Sequence, residues 1–442
     1  MTNEYYVIDE EDVAKDLIAY AIPIKRRQMS KKEQIDYIKS KLKDWRRKGL
    51  AYNKVNGQYR YDNYEVINFL IPAWRIYNDN LFIEASKQGR QLFQEMRNIG
   101  QKVGSQEVVE NYINMLKFNV RQDFLFNLKY FSHNKNSFKF MLPFPIERSF
   151  QRVNIKSIFP SQISPEFIDG NDSKWLYLEF DRFKYCNFIE FNLEYDVKLF
   201  EVNYEINPEK VVHYDKKDPN CKFYTIDSKK GVYFTEVDQE LKTLSKKIVE
   251  SESNPFKKAR KIYTWIMGHI RNSGMVHKDK IQDLYKYILR TGHGDCGMLS
   301  DLFVKLCRNQ GVPARRVSGC LMYPQAPSGH IWAEFYLANY GWIPVDISIG
   351  WGYSCGGNMD SYYYNYYFGH LPHSLILNYS SNVIPQNKEI SRTQYNFLSL
   401  TQLRGYENKD TNRRYTLFTH PKEYSENKEF IFRVTMEVRY AK

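Results

Sequence analysis

The sequence lacks several patterns that would assign a protein to a function class directly. No apolar run approaches the roughly 18 residues of a membrane-spanning helix, and Val66–Trp74 is about the longest. No Cys-x-x-Cys pair is present, so the usual zinc-binding arrangement is not indicated. The chain has no internal repeat, no phosphate-binding glycine loop and no calcium loop of the EF-hand type. We therefore expect no transmembrane segment, no metal and no other cofactor.

What the chain does have is length and an uneven positive charge. Its 442 residues are too many for one ordinary domain, and 43% of them are hydrophobic, which is enough to form cores. The formal net charge is +13, and residues 25–48 hold 11 Lys or Arg against three acidic residues. This basic segment fits an anionic partner, either a nucleic acid or a membrane surface, while a solvated helix face is the more common explanation.

The most informative stretch covers residues 291–348. Cys296 opens an apolar run with three- and four-residue spacing, which predicts an amphipathic helix of about three turns. The helix is expected to end at Asn309–Pro313, where a glycine and a proline follow. The positive end of the helix dipole lowers the pKa of a thiol placed there. Cys296 is therefore the candidate nucleophile.

His330 introduces a segment in which apolar and polar residues alternate. Residues 330–337 predict a strand, Asn339–Gly341 a turn, and Trp342–Ser348 the returning strand, which carries Asp346. An antiparallel ribbon of this kind would bring His330 near Asp346. A thiol, an imidazole base and a carboxylate that orients the base are the groups that acyl transfer through a thioester requires.

Four short motifs follow one another through this stretch. They are Gly-Asp-Cys, Leu-Cys-Arg-x-x-Gly-Val-Pro-Ala-Arg, Gly-His-x-Trp-Ala-Glu and Gly-Trp-x-Pro-Val-Asp, within residues 294–346. The pattern resembles the transglutaminase-like superfamily, in particular its bacterial cysteine protease and acyltransferase domains. The resemblance implies a papain-like fold and a Cys-His-Asp triad, carried here by Cys296, His330 and Asp346.

Other residues near these motifs have two interpretations each. Trp332 and Trp342 are candidates for substrate binding, and core packing beside the ribbon explains them equally well. His293 is a second candidate base, although a loop residue near the cleft is the favoured interpretation. The tyrosine-rich segment Ser361–Phe368 predicts a strand with rings on both faces, with an acyl-donor groove as the alternative.

The N-terminal residues and the cysteines bear on the cellular compartment. The N-terminus does not have the basic and then apolar pattern of a signal peptide. Of six cysteines, one is the candidate nucleophile, so an odd number remains and complete disulfide pairing is not implied. We expect a soluble protein with reduced thiols in the cytoplasm.

The patterning divides the chain into four predicted regions of an α+β fold. These are a mostly helical N-terminal region (1–118), a β-rich, sandwich-like domain (119–232), a papain-like, transglutaminase-like catalytic core (233–385) and a C-terminal β segment (386–442). In the first region a basic helix, Lys31–Lys48, precedes a hairpin centred on Asn56-Gly57. This pair resembles the second half of a winged helix, whose first helices are not evident from the sequence.

Three functions fit these observations. The leading hypothesis is acyl transfer at protein or peptide amides through a Cys-His-Asp triad, with water as the acceptor in a peptidase or deamidase. The first alternative is a transglutaminase, in which a primary amine replaces water. The second is an inactive member of the superfamily that binds an anionic partner through residues 25–48.

Overall fold

The structure is a computed structural model. It describes residues 8–21, 29–61, 63–103, 111–127, 137–159, 166–170, 173–181, 188–215, 217–225, 239–273, 283–323, 328–379 and 432–441.

Helices dominate the first hundred residues and return in the second half of the chain. In the described residues they are α1 (Glu10–Ala21), α2 (Lys31–Arg47), α3 (Asn63–Tyr77), α4 (Leu81–Val103), α5 (Pro219–Tyr224), α6 (Gln239–Val249), α7 (Pro255–His269), α8 (Leu284–Thr291), α9 (Cys296–Asn309), α10 (Ile347–Tyr353) and α11 (Tyr362–Tyr366). Among these, no helix combines the length and the apolar character needed to cross a membrane.

Strands fill most of the region between α4 and α5 and alternate with helices afterwards. They are β1 (Ile8–Asp9), β2 (Asn53–Val55), β3 (Gln58–Tyr61), β4 (Tyr112–Asn127), β5 (Ser137–Phe144), β6 (Gln151–Phe159), β7 (Glu166–Gly170), β8 (Ser173–Asp181), β9 (Phe188–Asn203), β10 (Arg271–Asn272), β11 (His293–Gly294), β12 (Ala314–Leu321), β13 (Ser328–Leu337), β14 (Gly341–Val345), β15 (His370–Leu371), β16 (Ser374–Tyr379) and β17 (Phe432–Tyr440). The predicted α+β class is confirmed.

The chain forms two compact units. The first comprises Met1–Glu95, Tyr263–Leu302 and Ile347–Tyr367, and the second comprises the remaining three segments. The predicted bounds of the four regions stay a prediction.

The N-terminal part of the first unit has its own core. Helices α1, α2 and α3 supply most of it, and the largest buried side chain is that of Trp45, which is fully buried. The hairpin β2–β3 follows α2 with Asn56 and Gly57 at its turn, where both residues have positive φ angles, as a two-residue hairpin requires. Strand β1 pairs with β3, so the sheet order is β1-β3-β2.

Two antiparallel sheets form the framework of the second unit. One has seven strands in the order β14-β13-β12-β16-β8-β5, with β7 beside β8, and the other has five around the long strands β4 and β9. The buried amide of Gln151 in β6 joins them, because it bonds both the carbonyl and the N–H of Ile376 in β16 at 2.7 Å. The seven-stranded sheet contains strands from both predicted regions, 119–232 and 233–385.

The ribbon predicted around His330 is present, with one correction. Strand β13 pairs antiparallel with β14 on one side and with β12 on the other. The returning strand ends at Val345 and not at Ser348, because Ile347 begins helix α10. Asp346 therefore lies at the junction between a strand and a helix.

The tyrosine-rich segment was predicted as a strand, and this prediction is wrong. Tyr362–Tyr366 form the short helix α11, whose start is capped by the Ser361 side chain through a hydrogen bond from the Tyr363 backbone N–H. Tyr364 and Tyr366 are buried, and Tyr362 is exposed. Tyr364 and the buried Tyr367 lie three residues apart, a helical spacing that a tyrosine-rich run does not reveal in the sequence.

Candidate active site

Cys296 is the first residue of helix α9, as the sequence predicts. The preceding Asp295 starts this helix: its side chain accepts a hydrogen bond from the Met298 N–H, and its backbone carbonyl accepts one from the Leu299 N–H, both at 2.9 Å. Cys296 is half-buried, whereas the apolar side of α9 behind it is fully buried. The thiol thus lies at the positive end of a 14-residue helix.

The glycine-rich residues before Cys296 fix how the chain enters the helix. Strand β11 pairs in parallel with β10, through hydrogen bonds of 2.8 Å from the Arg271 N–H to Gly292 and from the Ser273 N–H to Gly294. Gly292 adopts a left-handed conformation, with φ of 67°, at the end of α8. A side chain at Gly294 would come within 3.1 Å of the Met298 Cβ atom. A larger residue at position 294 would therefore require Met298 to shift by a few tenths of an ångström.

His293 lies in β11, beside the start of α9. Its Nδ1 atom is 3.1 Å from the Ser273 hydroxyl, and its ring meets that of Tyr287 edge to face. Burial lowers the pKa of His293 below its ordinary value, and the nearby positive charge of Arg271 lowers it further. The imidazole is therefore held neutral near pH 7.

His330 and Asp346 are brought together in the second unit. The Nε2 atom of His330 is 2.8 Å from the Asp346 carboxylate, and both side chains are buried, with 7% and 1% of their surface exposed. A neutral imidazole that donates its Nε2 proton to this carboxylate carries its lone pair on Nδ1. The Asp346 carboxylate can therefore hold the imidazole in the tautomer whose basic nitrogen is Nδ1.

The base is held by its neighbours in the sheet. The indole ring of Trp332 is fully buried and lies nearly parallel to the His330 ring, with 6.1 Å between the ring centres. Gly319 is paired with His330 across β12 and β13, at a position where a β-bulge shifts the register with β16. A Cβ atom at Gly319 would lie 2.0 Å from the Leu375 carbonyl oxygen and 2.6 Å from the Trp332 ring. Only glycine lets Trp332 pack this closely.

A buried ion pair lies on the same ribbon, and its carboxylate residue is four residues beyond His330. Arg315 of β12 and Glu334 of β13 are paired across the strands, and two guanidinium nitrogens reach one carboxylate oxygen at 2.8 and 2.7 Å. The guanidinium also lies against the rings of Trp342 (3.9 Å) and Tyr379 (3.5 Å). Since His330, Trp332 and Glu334 alternate along β13, they share one face of the strand.

Comparison with known proteins finds a family match over part of the chain. Residues 242–347 match the transglutaminase-like superfamily. The resemblance expected from the motifs is confirmed for this segment, which we call the transglutaminase-like segment. A curated but uncharacterized protein of Haemophilus influenzae is 33% identical over 130 residues, which cover 24% of this chain and 35% of that protein.

Two solved bacterial structures are similar to parts of this chain at low sequence identity. A candidate cysteine protease from Cytophaga hutchinsonii covers 66% of this chain and 96% of its own, with 15% identity and a TM-score of 0.43. The periplasmic domain of TgpA from Pseudomonas aeruginosa covers 54% and 89%, with 12% identity and a TM-score of 0.29.

The transglutaminase-like segment holds all three predicted catalytic residues, divided between the two units. Cys296 belongs to the first unit, and His330 and Asp346 belong to the second. The His330–Asp346 contact was predicted from the ribbon and is present, whereas the complete triad stays a prediction. Of the two candidate substrate-binding residues, Trp332 is fully buried and Trp342 is half-buried against Arg315. Their role in binding substrate also stays a prediction.

Three of the other described cysteines have a pKa that is raised by burial. Cys307 and Cys320 are buried, and burial raises the pKa of Cys320 to about 12 and that of Cys307 well above its ordinary value. Burial also raises the pKa of Cys221 to about 11. Among the described residues, no group of three or more His, Cys, Asp or Glu side chains is arranged to hold a metal ion.

The sequence interpretation missed the structural roles of two residues in the transglutaminase-like segment. Glu334 ends the Gly-His-x-Trp-Ala-Glu motif, but neither its pairing with Arg315 nor the role of Gly319 has a local signal, because each residue acts on a partner from another strand. A search for opposite charges on paired strands would have found Arg315 and Glu334 once the register of β12 and β13 was known.

Proposed function

We propose that the protein is a thiol-dependent hydrolase of protein or peptide amides that uses Cys296 as nucleophile, His330 as base and Asp346 as the residue that orients the base. The observation that carries the proposal is the buried His330–Asp346 hydrogen bond of 2.8 Å inside the segment that matches the superfamily. That match supports a thiol-dependent hydrolase or acyltransferase at the level of the family.

Each residue has a defined task in the proposed reaction. His330 accepts the Cys296 proton at Nδ1, and the resulting thiolate attacks the amide carbonyl to form a tetrahedral intermediate. The carbon–nitrogen bond then breaks, and the protonated imidazole returns its proton to the leaving amine. Asp346 stabilises the imidazolium, and its burial strengthens this effect because water does not screen the two charges.

The oxyanion of the tetrahedral intermediate needs hydrogen-bond donors. The N-terminus of α9 offers backbone N–H groups that point out of the helix, and the Cys296 N–H is the donor that belongs to the nucleophile itself. The same end of the helix dipole favours the thiolate form of Cys296. One structural feature thus supports both the nucleophile and the transition state.

The thioester can be released by two acceptors. Water yields a carboxylic acid, and the enzyme is then a peptidase or a deamidase, depending on which amide was attacked. A primary amine yields a new amide bond, as in a transglutaminase. We propose hydrolysis, because water is the default acceptor unless the site excludes it.

Mass spectrometry of intact products distinguishes these outcomes. The full chain is incubated with a mixture of glutamine-containing peptides, with and without a biotinylated primary amine. Peptides shortened at a backbone amide indicate a peptidase, conversion of a glutamine amide to a carboxyl group indicates a deamidase, and gain of the amine indicates a transglutaminase.

The matched variants are Cys296→Ala and Cys221→Ala, since both residues are half-buried thiols. The first change should abolish product formation, and the second should leave it unchanged. Equal activity of the Cys296→Ala variant and the unaltered protein would overturn the proposal.

A further inference from the structure

Helix α2 carries exposed positive charges that the proposed enzyme function does not use. Six lysines and arginines of α2, from Lys32 to Arg47, fall into two groups. Lys39, Lys41 and Arg46 each bind a carboxylate elsewhere in the first unit, namely Glu11 at 3.3 Å, Asp79 at 2.8 Å and Glu10. Lys32, Lys43 and Arg47 are exposed and make no ion pair within the described part of the chain.

The unpaired group lies on one stripe of the helix. Positions 32, 36, 40, 43 and 47 recur at three- and four-residue spacing, and all five residues are exposed. The stripe reads Lys, Asp, Ser, Lys, Arg, and it extends for about 22 Å along the helix. Two further carboxylates near it are already bound, Glu33 by the Ser30 cap and Asp44 by Lys48. Asp36 is therefore the one carboxylate of the stripe itself, against three cations.

The opposite face of α2 fixes the helix to its surroundings. Ile38, Leu42 and Trp45 are fully buried in the core that α1 and α3 complete. The Arg46 guanidinium lies over the Tyr59 ring at 3.7 Å and bonds the Tyr61 hydroxyl, so the end of α2 is joined to the hairpin. The outward stripe is thus presented by a rigid helix beside a hairpin that carries the exposed Lys54.

The order of the elements around α2 is that of a winged helix. A strand, two helices and a hairpin follow one another, and the sheet order β1-β3-β2 places the first strand beside the last. The sequence suggested only the second half of a winged helix, and the structure adds β1 and α1. In helix-turn-helix proteins the second helix lies in the DNA major groove, with its outward side chains facing the bases and phosphates.

We propose that the outward stripe of α2 (Lys32, Asp36, Ser40, Lys43 and Arg47) is a docking surface for double-stranded DNA. The three unpaired cations on this stripe can neutralise the phosphates that flank a groove. B-form DNA has a major groove wide enough for a helix, whereas the major groove of duplex RNA is too narrow. This surface does not depend on the catalytic proposal.

A membrane surface is the less favoured partner. A helix that lies on a bilayer inserts a face of large apolar side chains, and the apolar face of α2 is buried in its own core. The stripe itself contains no apolar residue. A single strand binds by stacking its bases on exposed rings, and the stripe carries no aromatic residue.

The test measures binding of the full chain to a short, fluorescently labelled DNA duplex of random sequence by anisotropy. The variant Lys32→Glu/Lys43→Glu/Arg47→Glu reverses the three unpaired cations. Its matched control, Lys242→Glu/Lys246→Glu/Lys247→Glu, reverses three exposed lysines of α6 and changes the net charge equally. Circular dichroism verifies that both variants are folded.

We expect the α2 variant to bind the duplex about tenfold more weakly, or weaker still. The slope of the logarithm of the association constant against the logarithm of the salt concentration, measured between about 50 and 200 mM salt, should become less steep by about 3. The α6 control should change neither value appreciably. The variant Asp36→Asn, which removes the opposing charge, should tighten binding, and misfolding cannot produce such a gain.

Three outcomes would overturn the proposal. The first is a loss of affinity in the α6 control equal to that in the α2 variant, which would indicate a response to net charge alone. The second is tighter binding to phosphatidylserine vesicles, duplex RNA or single-stranded DNA than to the DNA duplex. The third is no measurable binding to the duplex at the lowest salt concentration.

Discussion

The two parts of the candidate active site are built in different ways. Cys296 is placed by one helix start, where Asp295 caps the backbone and the glycines before it are held by a short parallel pair of strands. His330 and Asp346 are placed by a sheet, in which β13 lies between β12 and β14 and is braced by Trp332 and by the Arg315–Glu334 pair. The nucleophile thus depends on a helix start and its cap, and the base depends on strand register within a sheet.

This difference predicts which substitutions disturb the geometry of each part. A helix N-terminus keeps its dipole and its cap when distant residues change, because both come from adjacent residues. A buried pair held by cross-strand contacts loses its geometry when a partner in another strand is altered. Substitutions in the sheet should therefore disturb the base while the immediate surroundings of the thiol remain unchanged.

The largest effect on stability is expected from removing Glu334. Glu334→Ala leaves the buried guanidinium of Arg315 without its carboxylate, which should lower the free energy of unfolding by about 3–5 kcal/mol. Urea unfolding followed by tryptophan fluorescence measures the change. The double variant Arg315→Met/Glu334→Leu removes both charges and should recover much of the loss, and an equally unstable double variant would contradict this account.

The coupling between base and nucleophile is tested by alkylation of Cys296 with iodoacetamide at about pH 6, measured by mass spectrometry. If His330 holds the thiol as an ion pair, His330→Ala should slow alkylation by about 100-fold, because an ordinary thiol with a pKa near 8.5 is almost fully protonated there. The buried Cys307 and Cys320 should react slowly in both proteins. The exposed His213 supplies the matched control, His213→Ala.

An unchanged alkylation rate in His330→Ala would show that His330 does not activate the Cys296 thiol. The proposed triad would then be wrong, even with the His330–Asp346 hydrogen bond intact. A lower rate in His213→Ala as well would indicate a general effect of losing a histidine.

Gly319 offers a smaller and more local test of the sheet. In Gly319→Ala the new methyl group would overlap the Leu375 carbonyl and the Trp332 ring, so we expect a loss of about 1–3 kcal/mol in unfolding free energy. The control is Gly268→Ala in α7, where a Cβ atom meets nothing within 4 Å. That change should stabilise the protein by up to about 1 kcal/mol, since alanine favours a helix. If Gly319→Ala left the free energy of unfolding unchanged, the ribbon would be able to adjust around His330.

The smallest expected effect concerns two histidines, the half-buried His293 in the first unit and the fully buried His373 in the second. Burial lowers the pKa of His293 in the first unit and of the fully buried His373 in the second. The unfolded chain takes up a proton near its ordinary pKa of about 6.5 and the folded chain does so only at lower pH, so stability falls as the pH drops below about 6.5.

Urea unfolding at pH 7 and pH 5 measures this dependence. His373→Gln should reduce the loss of stability at pH 5 more than His293→Gln, because His373 is buried completely and His293 only in part. If His293→Gln had the larger effect, burial would not be the main cause of the shift.

Local sequence determined a large part of this protein. Helix α9 and its start at Cys296, the hairpin at Asn56-Gly57 and the strand beginning near His330 follow from periodicity, capping and turn residues, which act over a few positions. The motifs between residues 294 and 346 indicated the superfamily, and residues 242–347 match it. Asp346 was assigned correctly to the neighbourhood of His330, although its strand ends one residue earlier.

Only the tertiary structure decided which partners distant residues have. It showed that Arg315 and Glu334 share a buried pair, that Gly319 makes room for Trp332, and that Ser361–Phe368 contains a helix. It also separated the basic residues of α2 into those bound by their own chain and those on the outward stripe. The physical reason is the same in each case: burial and pairing depend on elements far apart in sequence, and periodicity records only which side of an element is apolar.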